Sequence, residues 1–230
     1  MYTQKLDPIK LKLIDELLSR APEIKSSADL GACWGVDGGY SRYLLDKHSL
    51  ERSVIVDQHI TDGTLAWTNN EPRAVPTQGL FGNDETRQKV GNVDMVIFFD
   101  VLLHQVSPDW DEVLAKWAPQ TKYFLIHNPM WTIGSETLRF PDHGFEWFKA
   151  NVVYQHEGRL KDWFDKLDEF DTEQNKKKKD IHNFWQFGIT ERDLLAKMEA
   201  LGFSCEYNSY FKSRVGKPWI QNFGYIFKKR

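Results

Sequence analysis

The chain has 230 residues, 41% of them hydrophobic, with 33 acidic against 30 basic side chains and a formal charge of −3. That is enough apolar material for one α/β domain with an added segment, which excludes a disordered chain, and the basic surplus of a general nucleic-acid binder is missing. Cys33 and Cys205 stand too far apart for a C-x-x-C motif or a disulfide framework. No apolar run approaches the length of a membrane span and no signal-peptide core opens the chain, so a reduced, cytoplasmic setting without membrane or nucleic-acid partners is expected.

Residues 5–20 place Leu6, Ile9, Leu11, Leu13, Ile14, Leu17 and Leu18 on a mostly helical stripe, with Pro8 tolerated in its first turn. This helix is expected to pack on the edge of a sheet. A short apolar strand then closes on Asp29-Leu30 and enters Gly31-Ala32-Cys33-Trp34-Gly35-Val36-Asp37-Gly38-Gly39, after which Tyr40-Ser41-Arg42 begins a helix. Glycines let a backbone turn sharply and approach a ligand closely, and the helix start beyond them offers unpaired N–H groups to an anion. The dinucleotide fingerprint G-x-G-x-x-G is absent.

The second strand covers 53–56 and ends at Asp57, an acid about 20 residues past the glycine turn, a spacing that suits a ribose diol. Residues 60–72 carry no clear periodicity. A third strand over 73–77 contains Pro76, which marks an edge. Gly82-Asn83-Asp84-Glu85 reads as a turn. The fourth strand, 93–99, is a near-continuous apolar run, as buried parallel strands are, and runs out through Asp100-Val101-Leu102-Leu103-His104. Ser107 is expected to cap the next helix, with Pro108 at its first position. The fifth strand covers 122–126 and ends at His127-Asn128-Pro129.

Between 130 and 187 the chain is densely aromatic, with Trp131, Phe140, Phe145, Trp147, Phe148, Trp163, Phe164, Phe184 and Trp185. So much aromatic surface must fold over something, either an acceptor pocket as a lid or a second subunit in a homodimer. The Lys176–Lys179 run reads as an exposed loop. Thr190 then caps a helix with Asp193 at its third position, Gly202 ends it, and 203–211 and 218–227 form a strand pair.

Asp29-x-Gly31 at the end of a first strand resembles motif I of class I S-adenosylmethionine (SAM) methyltransferases. Asp100-Val101-Leu102-Leu103-His104 resembles the block after their fourth strand, and the F-G-I-T ending with its strand pair is similar to their C-terminus. The likeness covers nearly the whole chain except 129–186. It implies a Rossmann-like parallel sheet with a terminal antiparallel hairpin and an aromatic-rich lid insertion, in a single domain over 1–230. It implies SAM as cofactor, held by Asp29, Gly31, either Gly35 or the Gly38-Gly39 pair, Asp57 on the ribose, Asn83 or Asp84 on the adenine amino group, and Asp100. It implies methyl transfer to a small-molecule acceptor, with His104 as general base and His127 as second choice, and Trp131, Phe145 and Trp147 roofing the acceptor.

Metal-dependent relatives carry oxygen ligands where this chain has Asp100, His127 and Asn128; histidine is a poor magnesium ligand, so no metal is expected. Two rivals remain. A methyltransferase-fold subunit could bind SAM without turnover, and a nicotinamide-dependent reductase would use Y-x-x-x-K, found at Tyr43–Lys47 and Tyr225–Lys229.

Overall fold

The computed structural model describes residues 6–152, 157–182, 184–211 and 217–230. Its centre is a seven-stranded sheet built from β1 (Ser26–Leu30), β2 (Arg52–Asp57), β3 (Ala74–Gln78), β4 (Met95–Phe99), β5 (Tyr123–Trp131), β10 (Phe203–Phe211) and β11 (Ile220–Lys229), in the order β10-β11-β5-β4-β1-β2-β3. The first five strands are parallel; β11 runs antiparallel to both β5 and β10. Every residue of β4 is buried, and each such large side chain stabilises the fold by about 1.5–3 kcal/mol. Strand β3 is an edge, so Pro76 costs no ladder bond on its open side.

Helices cover both faces. On one side α1 (Pro8–Arg20) and α2 (Gly39–Lys47) bury Leu13, Ile14, Leu17 and Leu44 against Ile55, Ile97, Leu125 and Ile226. On the other, α5 (Trp110–Trp117) and α8 (Glu191–Ala200) pack Trp117, Leu114, Leu194 and Met198 on Phe98, Phe124 and Phe227. Helix α1 therefore lies across the face of β5 and β11 and not on the sheet's edge, because its apolar stripe finds its partners there. Asp7 caps it, Oδ1 accepting the Ile9 N–H at 2.9 Å.

Four local expectations change. Residues 60–72 contain α3 (Asp62–Thr68), capped by Thr61 and tied back by Trp67, whose Nε1 donates to the Asp37 carbonyl at 2.8 Å. Helix α4 (Asp84–Val90) begins at the turn expected over 82–85. Helix α5 starts two residues later than Ser107-Pro108 implied, because Asp109 and Glu112 form a capping box. Strand β5 continues five residues past 126, since β11 offers it a partner as far as Trp131.

The segment after β5 folds into its own small unit. It contains β6 (Leu138–Arg139), α6 (Phe145–Asn151), α7 (Glu157–Phe164), the hairpin β7 (Phe170–Asp171) with β8 (Lys176–Lys177), and β9 (Phe187–Gly188), which pairs with β6 to close the excursion. The lysine run is thus part of a hairpin and a following 3₁₀ turn, in which Lys177 and Lys179 pair with Asp168 and Lys178 with Glu169. The connection expected between β10 and β11 at Arg214-Val215-Gly216-Lys217 lies outside the described residues, save for Lys217. No helix among the described residues is long and apolar enough to cross a membrane.

Candidate active site

Beyond β1 the chain coils tightly. Gly31 adopts φ +71° and donates its N–H to the Val56 carbonyl at 2.8 Å. A Cβ on it would lie 2.7 Å from Val101 Cγ1, so the loop after β4 approaches as near as glycine allows. Gly38 N–H then closes on the Ala32 carbonyl at 3.0 Å, and positive φ at Gly35, Asp37 and Gly38 turns the chain into α2. Of the glycines in this turn, Gly31 is the one that lines the adjoining cleft among the described residues; Gly35, Gly38 and Gly39 shape the turn.

The cleft opens at the carboxyl ends of β1–β4 and is lined by Gly31, Asp57, Gln58, Gly79 to Asn83, Val101, His104, Gln105, Ser107, Pro108 and His182. Asp57 stands at the end of β2, where its Oδ2 accepts the Cys33 N–H at 2.8 Å and its Oδ1 the His59 N–H at 3.0 Å. Each carboxylate oxygen keeps a second lone pair for a ligand. Asn83 lines the cleft, whereas Asp84 turns away to Lys116, 2.9 Å from its Nζ, and to Arg87.

Asp29 is 2% exposed and accepts one hydrogen bond from the Ser41 hydroxyl at 3.2 Å. Burial raises its carboxyl to about 7; the Ser41 hydrogen bond and the charge of Lys10 oppose that rise, and the charge of Asp57 adds to it. Asp100, at φ +60°, binds Lys10 Nζ at 2.7 Å and His127 Nδ1 at 2.7 Å. Burial works to raise its carboxyl, but the hydrogen bond and charge of His127 and the charge of Lys10 outweigh it and hold it at about 2. Asn128 is committed elsewhere, its Oδ1 accepting the Leu103 N–H at 3.3 Å. Asp100 and Asn128 are therefore drawn to different partners, and no group of three acidic, His or Cys side chains suited to a metal occurs among the described residues.

His104 sits on the single 3₁₀ turn Leu102–His104 and faces the cleft. Its Nδ1 is 3.0 Å from the Phe184 carbonyl oxygen. A carbonyl only accepts, so Nδ1 carries the proton and Nε2 keeps its lone pair. Burial lowers the His104 pKa below its ordinary 6.5, although the Phe184 carbonyl and the charge of Asp100 pull the other way. The neutral, Nε2-basic form is therefore favoured near neutral pH.

The inserted segment reaches the cleft through His182 and residues 184–186. His182 Nδ1 donates to the His104 carbonyl at 3.1 Å, the Gln186 N–H to the Leu103 carbonyl at 2.9 Å, and Trp185 meets the His104 ring edge-on. Trp131, Phe145 and Trp147 are not among the cleft-lining residues described. Trp131 and Trp147 pack with Phe140, and Phe145 packs with Phe164. An aromatic group this large buries itself in a core of its own. His127 likewise faces α1 and holds Asp100, and its Nε2 has no hydrogen-bond partner among the described residues.

No protein-family model and no curated protein matches the sequence. Solved structures do match in shape. A 1,6-didemethyltoxoflavin-N1-methyltransferase from Burkholderia thailandensis, solved with 1,6-didemethyltoxoflavin and S-adenosylhomocysteine, is 12% identical with a TM-score of 0.61 over 96% of this chain and 77% of that one. The N-terminal domain of EvdMO1, with S-adenosylhomocysteine bound, is 12% identical with a TM-score of 0.60 over 100% and 84%. Mitomycin 7-O-methyltransferase is 12% identical with a TM-score of 0.53 over 96% of this chain and 54% of that one. The fold is that of the class I methyltransferases.

Within this methyltransferase fold neither Tyr–Lys pair of the reductase rival meets the cleft. The Tyr43 hydroxyl donates to Asp15 on the outer surface, and buried Tyr225 donates to Glu191. Gln58 and His182 line the cleft, and Lys10 pairs with Asp100, though no motif in the sequence marks them. Lys10 carried a signal of its own, since it falls on the apolar stripe of α1, between Leu6, Leu13 and Ile14.

Proposed function

We propose that the chain transfers a methyl group from SAM to a small-molecule hydroxyl, with His104 as general base. The observation that carries this reading is His104 itself: a neutral imidazole with Nδ1 committed to a carbonyl and Nε2 free, in the same cleft as Gly31 and Asp57. The cleft suits the cofactor. A Cβ at Gly31 would fill the cradle beside Val101, and Asp57 offers two carboxylate oxygens to a ribose diol. Neighbours of the same fold methylate small molecules, which supports that acceptor class.

SAM supplies a methyl group already activated on a sulfonium. The chain's residues then bind, orient and move one proton. Asp57 and Asn83 would hold the nucleoside end. His182 and Trp185 cover the cleft beside His104 and keep water from solvating the nucleophile. His104 Nε2 would take the proton that the acceptor hydroxyl loses on methylation, and release it to solvent afterwards.

Methyl-labelled SAM incubated with the full chain and a fractionated metabolite extract should place label on a small molecule, and His104→Ala should abolish that transfer while still binding S-adenosylhomocysteine. Binding without transfer to any fraction would leave a cofactor-binding subunit without turnover.

A further inference from the structure

The ends of β1 and β4, with the middle of β5, hold a charge cluster that the proton transfer does not use. Lys10 is 9% exposed, a burial that lysine accepts only with a partner. Its Nζ lies 2.7 Å from Asp100 Oδ2 and 5.5 Å from the ring centres of both Tyr40 and Phe99. The start of α1 is fixed over the glycine turn: the Asp7 N–H donates to the Tyr40 hydroxyl at 3.1 Å, and a Cβ on Gly39 would lie 2.7 Å from Leu6 Cδ2. Asp29 feels the charge of Lys10 as well, and His127 holds the other oxygen of Asp100. Two carboxylates thus share one ammonium beside an imidazole. The Asp100 side chain is still 39% exposed, so an outside group can reach it.

An ammonium and a carboxylate paired beside a glycine turn match the head group of an α-amino acid, which carries the same two charges. We propose that Lys10 and Asp100 form the receptor for the amino-acid head group of the cofactor, Lys10 taking its carboxylate and Asp100 its ammonium. Their mutual ion pair holds the site closed until that ligand arrives. This rests on the SAM reading above. Separating a largely buried ion pair is unfavourable unless both members find new partners. A ligand with both charges re-pairs both residues, whereas a ligand with the ammonium alone leaves Lys10 stranded. The site should therefore discriminate against loss of the carboxylate by more than one missing contact.

Calorimetric titration of the full chain tests this with three ligands: S-adenosylhomocysteine, its decarboxylated analogue, and 5′-methylthioadenosine, which lacks the head group. The parent should bind S-adenosylhomocysteine roughly 10–100-fold more tightly than the decarboxylated analogue. Lys10→Met should erase that preference while binding methylthioadenosine as the parent does, which also reports an intact fold, and Lys10→Arg should restore part of the preference. Lys10→Met binding S-adenosylhomocysteine as tightly as the parent overturns the proposal, as does equal loss of all three ligands. Should the parent bind methylthioadenosine and S-adenosylhomocysteine equally, the head-group receptor fails alone; should it bind none of the three, the cofactor reading fails with it.

Discussion

Asp57→Ala separates the structural work of this carboxylate from its work on a ligand. In the folded chain Asp57 accepts the Cys33 and His59 N–H groups at 2.8 and 3.0 Å, tying the glycine turn to the end of β2. Hydrogen bonds to a charged acceptor contribute about 1.5–3 kcal/mol each, and water can replace part of that at this half-exposed position, so a net loss of about 2 kcal/mol is expected. For a chain of this size that lowers the melting temperature by about 4–8 °C. The ribose contacts are a second, independent loss of about 1.5–3 kcal/mol, or roughly 10–150-fold in affinity for S-adenosylhomocysteine. Asp57→Asn keeps one acceptor oxygen and should fall between the parent and Asp57→Ala in both measurements. Thermal melting and calorimetric titration of the three proteins read the two losses separately. Unchanged affinity with a lowered melting temperature would show that Asp57 serves only the turn, and the ribose assignment would be wrong.

His104→Ala should lower kcat by roughly 10²–10⁴-fold with S-adenosylhomocysteine affinity retained, and parent kcat should rise with pH through a value below 6.5 and then level off; a flat profile from pH 5 to 8 would remove the base. His104 and His182 are both held below their ordinary pKa by burial, so the stability they contribute is present above pH 6.5 and lost as pH falls through their folded values, which urea titrations across pH 5–8 will follow. Asp29 behaves in the opposite sense. Raised from 3.8 to about 7, it favours the fold at low pH and loses that contribution as pH rises. Asp29→Asn should therefore gain stability over the unliganded parent between pH 4 and 7, by up to about 4 kcal/mol. Phe148→Ala, at a side chain 1% exposed and packed on Phe140, Phe164 and Phe184, should cost about 3–5 kcal/mol in the inserted unit; its affinity for S-adenosylhomocysteine should match the parent's by titration. Turnover should survive a chelator, since Asp100 is already held by Lys10 and His127; loss restored by magnesium would contradict that.

What could be read from the sequence was what periodicity and turn chemistry encode locally. The apolar run before Asp100 could only be a buried strand, and Asp29-Leu30-Gly31 followed by a helix could only be a strand-end turn. Thr190 with Asp193 marked the start of α8. Helix α3 was not legible because it has no apolar stripe. It is held by the Thr61 cap and by Trp67 reaching back to Asp37, a contact between residues thirty positions apart. The inserted unit was legible as aromatic but not as self-contained, because composition does not say whether rings face a ligand or one another. Trp131 and Trp147 face one another. The same limit hid His182, whose place beside His104 is set by its own ring bonding the His104 carbonyl, by the His104 ring bonding the Phe184 carbonyl, and by the Gln186 N–H bonding the Leu103 carbonyl.

The central claim is that the cleft at the ends of β1–β4 receives the cofactor with His104 at its wall. Backbone amide NMR of the isotopically labelled full chain, titrated with S-adenosylhomocysteine, tests it directly. Saturable shifts are expected at Gly31, at Asp57 and Gln58, at Gly79 through Asn83, and at Val101 through Gln105. No shifts up to millimolar ligand, or shifts centred on residues remote from that cleft, would contradict it.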